Sequence, residues 1–272
     1  MSTFNYKGYE IYYDVQGQGK PLIFLNGVMM YCASWNTFVD TMSKDNMFIR
    51  MDFLDQGKSA RMDVFYTQDD QVEVLHELFV HLGLEKASIM GVSYGGEVLL
   101  KFAIKYPHLV DRLILSNTAA WTSPWLRDIG YSWNRVGATL DGEAYYDLAI
   151  PVIYSPSFYV ERNDWMENRR KVLVPLFSTR EFQDRMKRLV DSAESHDCRS
   201  RVCEITCPTL VISSQYDFLT PLLEQEFLVK NIKNASHVII PNAGHAAMYE
   251  KPLLFASLVL GFANAKDDEY II

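Results

Sequence analysis

The feature that most restricts this chain is a series of short apolar runs alternating with helix-like segments. Residues 21–25, PLIFL, are apolar throughout, which fits a strand buried on both faces inside a parallel sheet. Residues 47–51, 86–90 and 110–115 read as further strands, as do 209–212 and 238–240 after a long interruption. Helices fall between them. The best marked has Thr67 followed by Asp70 as a capping box, Val72, Leu75, Phe79 and Leu82 on one face, and Gly83 as the stop. Others cover 34–42, run from after Gly91 through Tyr106 to Pro107, follow Pro221, and close the pattern at 253–263. Such alternation implies parallel βαβ units with right-handed crossovers. Residues 9–15 mix β-formers with polar side chains and end at Gly17-Gln18-Gly19, so they are expected as an edge strand with a hairpin turn.

The rhythm breaks at 121–201, where helical fragments are rich in aromatics: Trp125, Trp133, Tyr145, Tyr146, Phe158, Tyr159 and Trp165. This stretch reads as a helical insertion over the C-terminal edge of the sheet. The core would then comprise 1–120 and 202–272. A chain of 272 residues can bury one α/β domain with an inserted subdomain. Its net charge of -8 repels phosphate backbones, so nucleic acid is not an expected partner. No apolar run follows a basic start, and no segment is long enough to cross a bilayer, so neither signal peptide nor membrane is expected. Cys32, Cys198, Cys203 and Cys207 contain no CxxC pair; free thiols in a reducing cytoplasm fit better than a metal site. Residues 266–269, KDDE, are expected as a solvated tail.

Chemistry concentrates at Gly91-Val92-Ser93-Tyr94-Gly95-Gly96, between an apolar strand and a helix. That context suits a G-x-S-x-G nucleophile elbow, in which a serine sits on a tight turn and glycines two positions either side let neighbouring chain pass closely. A serine hydroxyl needs a base, itself oriented by a third group. Of six histidines, His245 lies in a Gly-containing loop directly after the last strand, at the sheet edge where open α/β sheets bind ligands. His76 and His81 fall on a helix, His108 at a helix end, His196 at the close of the insertion, and His237 opens a strand. Asp217 lies in another post-strand loop. It could cap the helix starting near Thr220-Pro221, but the order Ser, Asp, His on three such loops favours a triad.

With those residues in place, the chain resembles the α/β-hydrolase superfamily over essentially its whole length. The resemblance implies a mostly parallel eight-stranded sheet flanked by helices, with residues 121–201 as a helical cap. It also implies an oxyanion hole from backbone N–H groups, here of Val28 and Tyr94. Residues 52–59, DFLDQGKS, resemble the family turn D-x-x-G-x-G-x-S, with Asp55 and Gln56 replacing a glycine and its neighbour. Gly244-His245 followed by Glu250-Lys251-Pro252 matches its histidine loop. Where most relatives carry His-Gly, this chain has Asn26-Gly27. Asn26 with Trp35, and the run Ser116-Asn117-Thr118-Ala119-Ala120, resemble the 3-oxoadipate enol-lactonase and carboxylesterase branch. Asn26, Trp121, Trp125 and Trp133 are candidates for touching substrate.

The expected activity is a cofactor-free, metal-free serine hydrolase acting on a small carboxylic ester or lactone through an acyl-enzyme. A thioester substrate, C–C bond hydrolysis on the same triad, and a ligand-sensing signalling protein of this fold are the alternatives. A homodimer is left open.

Overall fold

The structure, a computed structural model, describes residues 2–265; the tail expected at 266–269 lies outside them. Eight strands form one sheet: β1 (Ser2–Tyr6), β2 (Tyr9–Gln16), β3 (Lys20–Leu25), β4 (Asn46–Met51), β5 (Ala87–Val92), β6 (Val110–Ser116), β7 (Thr209–Ser214) and β8 (Ala235–Ile240). The helices are α1 (Val39–Met42), α2 (Gln68–Leu82), α3 (Tyr94–Lys105), α4 (Pro124–Gly137), α5 (Gly142–Ala149), α6 (Pro156–Glu161), α7 (Asn163–Phe177), α8 (Arg180–Ser192), α9 (Leu222–Asn231), α10 (Ala247–Glu250) and α11 (Pro252–Ala263).

The spatial order is β1-β2-β4-β3-β5-β6-β7-β8. β2 is antiparallel to both neighbours, and the remaining pairs are parallel. The expected edge strand is therefore displaced by one place: β2 lies second, and β1 forms the edge. β1 has only two buried apolar positions, Phe4 and Tyr6, too short an alternation to stand out from a loop.

The apolar runs are continuous because the strand period of two sends their residues to two different layers. Ile23 and Leu25 face a cluster built with Val72, Leu75 and Phe79 of α2, Val98 and Phe102 of α3, and Leu228 of α9. Leu22 and Phe24 face the opposite cluster, with Trp35, Met42 of α1, and Phe255 and Val259 of α11. The capping box at Thr67 and Asp70 forms as expected, and Gly83 ends α2 in the left-handed conformation. Helices α4 to α8 all lie between β6 and β7. The chain leaves and returns at one point: Trp121 and Asp197 form an antiparallel bridge, the Cys198 N–H donates to Ala120 O (2.7 Å), and the Thr122 N–H donates to His196 O (2.9 Å). The insertion's aromatics, among them Trp133, Tyr145, Tyr146 and Phe177, extend the second cluster rather than forming a separate core. Among the described residues, no helix is long and apolar enough to cross a membrane.

Candidate active site

Ser93 stands between β5 and α3 with φ 53° and ψ -122°. Such a conformation costs a non-glycine residue about 1–3 kcal/mol and persists only where surrounding structure imposes it. The glycines on either side show what imposes it. A Cβ on Gly91 would lie 2.5 Å from Gly95 O, and one on Gly95 would lie 2.7 Å from Leu25 O and 2.8 Å from Asn26 O. Strand, helix and the loop after β3 thus meet at contact distance around the serine. The Ser93 N–H donates to Ser116 O (3.0 Å), which fastens the turn to β6.

Asp217 and His245 are in direct contact. Nδ1 of the imidazole lies 2.9 Å from Oδ2 and 3.0 Å from Oδ1 of the carboxylate, and both side chains are buried. Asp217 is heavily coordinated: Oδ1 accepts the N–H groups of Leu219 and Thr220 (both 2.9 Å), and Oδ2 accepts the Thr220 hydroxyl (2.8 Å) and Gln225 Nε2 (3.3 Å). So many donors fix the carboxylate's orientation. The helix-capping role weighed against Asp217 is not the one adopted: α9 starts later, at Leu222.

Two residues after β6 join the serine and histidine loops. The Asn117 amide donates to His245 O (2.8 Å), and the adjacent Thr118 hydroxyl donates to Ser93 O (2.8 Å). The histidine loop is held from the far side by Glu250, whose Oε1 accepts the N–H groups of Gly244 (3.1 Å) and Ser155 (2.8 Å). Sequence reading quoted Asn117, Thr118 and Glu250 only as pattern matches; their positions just after a strand, or six residues from Gly244, were the available signal.

Ser93, Val28 and Tyr94 line one narrow cavity of about 60 Å³, together with Glu97, Leu126, Ile129, Trp133 and Leu219. Val28 also borders a wider cleft of about 580 Å³ between the loop after β3 and α8. Of the tryptophans proposed for the pocket, Trp133 is on the narrow cavity's wall. Trp125 is more than half exposed, with Nε1 donating to Phe218 O (2.8 Å), and Trp121 packs edge-on against Phe227 with Arg199 over its ring. The wall from α4 is Leu126, Ile129 and Trp133, spaced three and four apart, a helical stripe the sequence reading passed over in favour of the tryptophans.

Asn26 lines neither cavity. Its Nδ2 donates to Met51 O (2.7 Å) and Gln56 Oε1 (3.2 Å), and its Oδ1 accepts the Trp35 indole N–H (2.8 Å). Both ends of the amide are occupied inside the protein, so it shapes the loop from beneath instead of facing a ligand. Gln56 Nε2 in turn donates to Gly27 O (2.9 Å), and the Met30 N–H closes a turn onto the same carbonyl (3.1 Å).

With this geometry described, comparison with known proteins is informative. The family model for the α/β hydrolase fold matches residues 20–252. The crystal structure of MGS-M2, an α/β hydrolase enzyme from a Medee basin deep-sea metagenome library, is 49% identical over the whole of both chains, with a TM-score of 0.97. The 2-hydroxy-6-oxo-6-(2'-aminophenyl)hexa-2,4-dienoic acid hydrolase of Metapseudomonas resinovorans is 26% identical, covering 97% of this chain and 91% of its own. The enol-lactonase of Burkholderia xenovorans is 20% identical with a TM-score of 0.84, covering 97% of this chain and all of its own, and bears on the fold alone.

Proposed function

The chain belongs to the α/β-hydrolase-fold family, and from that footing we propose that it cleaves small carboxylic esters or lactones through an acyl-enzyme, with Ser93 as nucleophile. The observation that carries this reading is the meeting of three post-strand loops. Asp217 touches His245, and Asn117 with Thr118 fastens the His245 loop to the strained Ser93 turn.

In the proposed reaction, His245 Nδ1–H donates to Asp217, which leaves Nε2 to accept the Ser93 proton. Oγ adds to the carbonyl carbon, and the N–H groups of Val28 and Tyr94 meet the resulting oxyanion. Each such donor is worth about 3 kcal/mol in a preorganised site. The imidazolium protonates the leaving alcohol as the acyl–oxygen bond breaks; in a lactone that alcohol stays tethered to the acyl chain. Water, deprotonated by the same imidazole, then attacks the acyl-enzyme, releases the acid and restores the serine. Residues 121–201 act as the cap, since α4 supplies one wall of the cavity beside Ser93. The narrowness of that cavity supports a small group on one side of the scissile bond, and the wider cleft past Val28 suits the larger part.

Labelling with a fluorophosphonate probe tests the nucleophile, with Ser93→Ala as the control. A panel of esters, thioesters and lactones of graded chain length then ranks the reaction types. The wild type should label and the variant should not, with turnover reduced at least about 10³-fold. Full activity in Ser93→Ala would end the proposal.

A further inference from the structure

α3 carries a carboxyl group for which the acyl-transfer scheme has no use. Glu97 stands four residues after Ser93 and is 3% exposed, on a helix whose other buried positions include Val98, Leu99, Leu100 and Phe102. Its hydrogen-bond partner is a neutral amide: Gln68 Nε2 donates to Oε2 at 2.5 Å. Lys101, the next cation along the helix, is held by Asp69 at 2.9 Å. A second buried carboxyl, Glu224 of α9, adds like charge, and burial pushes the Glu97 carboxyl up to about 7. An apolar side chain would fill such a position without the cost of burying a charge.

The position of Glu97 gives that cost a purpose, because it lies on the wall of the cavity that Ser93 opens into. Asp191 and Glu194 line the same space, against a single lining cation, Arg127, among the described residues. Those two are already engaged: Asp191 by Asn134 (2.9 Å) and Lys187, Glu194 by the Tyr131 hydroxyl. Among the described residues, Glu97 has only the Gln68 amide. One helical turn of about 5.4 Å separates its backbone from that of Ser93, so an acyl chain of a few carbons spans the interval.

We propose that Glu97 is a specificity-determining residue that receives a protonated amino group of the substrate, so that this cavity selects amine-bearing esters and rejects carboxylate-bearing ones. The proposal rests on the reading of Ser93 as nucleophile. An ammonium entering the cavity finds a desolvated carboxylate, where a charge-assisted hydrogen bond is strong. A substrate carboxylate meets like charge from Glu97, to which Glu224 of α9 adds its own field. The charged or titratable groups bearing on Glu97 include Glu224 from α9, Lys101 and Tyr94 from α3, His245 from the loop after β8, and Cys198 from the segment that follows α8. As pH falls below about 7, Glu97 takes up a proton and the advantage of the amine shrinks.

Three p-nitrophenyl esters with six-carbon acyl chains ending in methyl, ammonium or carboxylate test this. Their kcat/KM values are measured at pH 6 and pH 8 for the wild type, Glu97→Gln and Glu97→Met. The ratio between substrates is the readout, so changes in the shared chemical step cancel. The wild type should favour the ammonium ester over the carboxylate ester by about thirtyfold or more at pH 8, and by less at pH 6. Both variants should bring the ratio to within about threefold and remove its pH dependence. Ratios in both folded variants within twofold of wild type would overturn the proposal. Failure of the underlying reading looks different: Ser93→Ala would then hydrolyse all three esters at the wild-type rate.

Discussion

Asp217→Asn isolates charge and tautomer while leaving volume almost unchanged. The carboxylate accepts two N–H groups on Oδ1 and the Thr220 hydroxyl and Gln225 amide on Oδ2, with the imidazole beside both oxygens. An asparagine serves only one side. With its carbonyl at Oδ1, its NH₂ faces Gln225 Nε2, which is itself a donor bound to Thr220 O (2.7 Å). The Thr220 hydroxyl can turn to accept; the Gln225 amide can do so only by flipping, which gives up its bond to Thr220 O. The same NH₂ faces Nδ1 of His245 and favours the ring tautomer protonated on Nε2, which cannot take a proton from Ser93. Losing about one charge-assisted bond and weakening another costs about 3 kcal/mol. At about 2–4 °C per kcal/mol, that lowers Tm by about 6–12 °C. The tautomer change should lower kcat about 10⁴-fold with KM nearly unchanged. Steady-state ester hydrolysis and a thermal melt on one preparation separate the two effects. A kcat within tenfold of wild type would refute the base assignment, whatever the melt shows.

Gly95→Ala places a Cβ 2.7 Å from Leu25 O and 2.8 Å from Asn26 O; although alanine is the better helix former by about 1 kcal/mol, the variant should lose at least about 100-fold in probe labelling rate, and a more stable, fully active protein would disprove the close approach. Asp55→Ala removes a bidentate pair with Arg188 (2.9 and 2.7 Å) and the acceptor of the Met62 N–H (3.1 Å). Because Arg188 is 22% exposed, the loss is discounted to about 2 kcal/mol, to be read as a shifted urea midpoint at constant slope. His196 is buried with Nε2 at 3.0 Å from Ala119 O, and burial pushes its pKa down to about 4. The unfolded chain therefore binds the extra proton first: the stability is present in full above pH 6.5 and is lost as pH falls toward 4. His196→Gln should flatten the wild-type decline in Tm across that window, and an equally steep decline in the variant would contradict the assignment.

How far the sequence could be read depended on whether a residue's role is local. The elbow was legible because strain at Ser93 demands glycines at fixed offsets, and the central strands were legible because burial on both faces leaves no polar position in residues 21–25 apart from the chain itself. β1 was hidden since an outer strand needs only two inward side chains, Phe4 and Tyr6. The tryptophans divide because burial of an aromatic on an inserted helix depends on which face the partner covers; Trp133 lines the cavity beside Ser93, while Trp125, eight residues earlier, is more than half exposed. Glu97 gave no signal, as a charged residue at a helical spacing reads as a solvated face until the neighbouring elements are in place.

The departures from the family pattern at Asn26, Asp55 and Gln56 look independent along the chain, yet in space they belong to one assembly. Asn26 holds Gln56, and Gln56 holds Gly27 O, directly before the Val28 N–H proposed for the oxyanion. Asp55, beside Gln56, adopts φ 65° where the family pattern has glycine, and its carboxylate takes Arg188 of α8. α8 reaches back a second time through Tyr94, whose hydroxyl bonds Ser192 Oγ at 2.8 Å. Both residues proposed to donate to the oxyanion are thus mechanically tied to one helix of the insertion. A strained Asp in place of glycine makes sense only if that tie matters, since glycine would adopt the same backbone at no steric cost. It follows that Asp55→Gly, which relieves the backbone but releases α8, should loosen the oxyanion loop and lower kcat more than KM. If it gained stability and kept full kcat, the coupling between α8 and the loop would have no energetic weight.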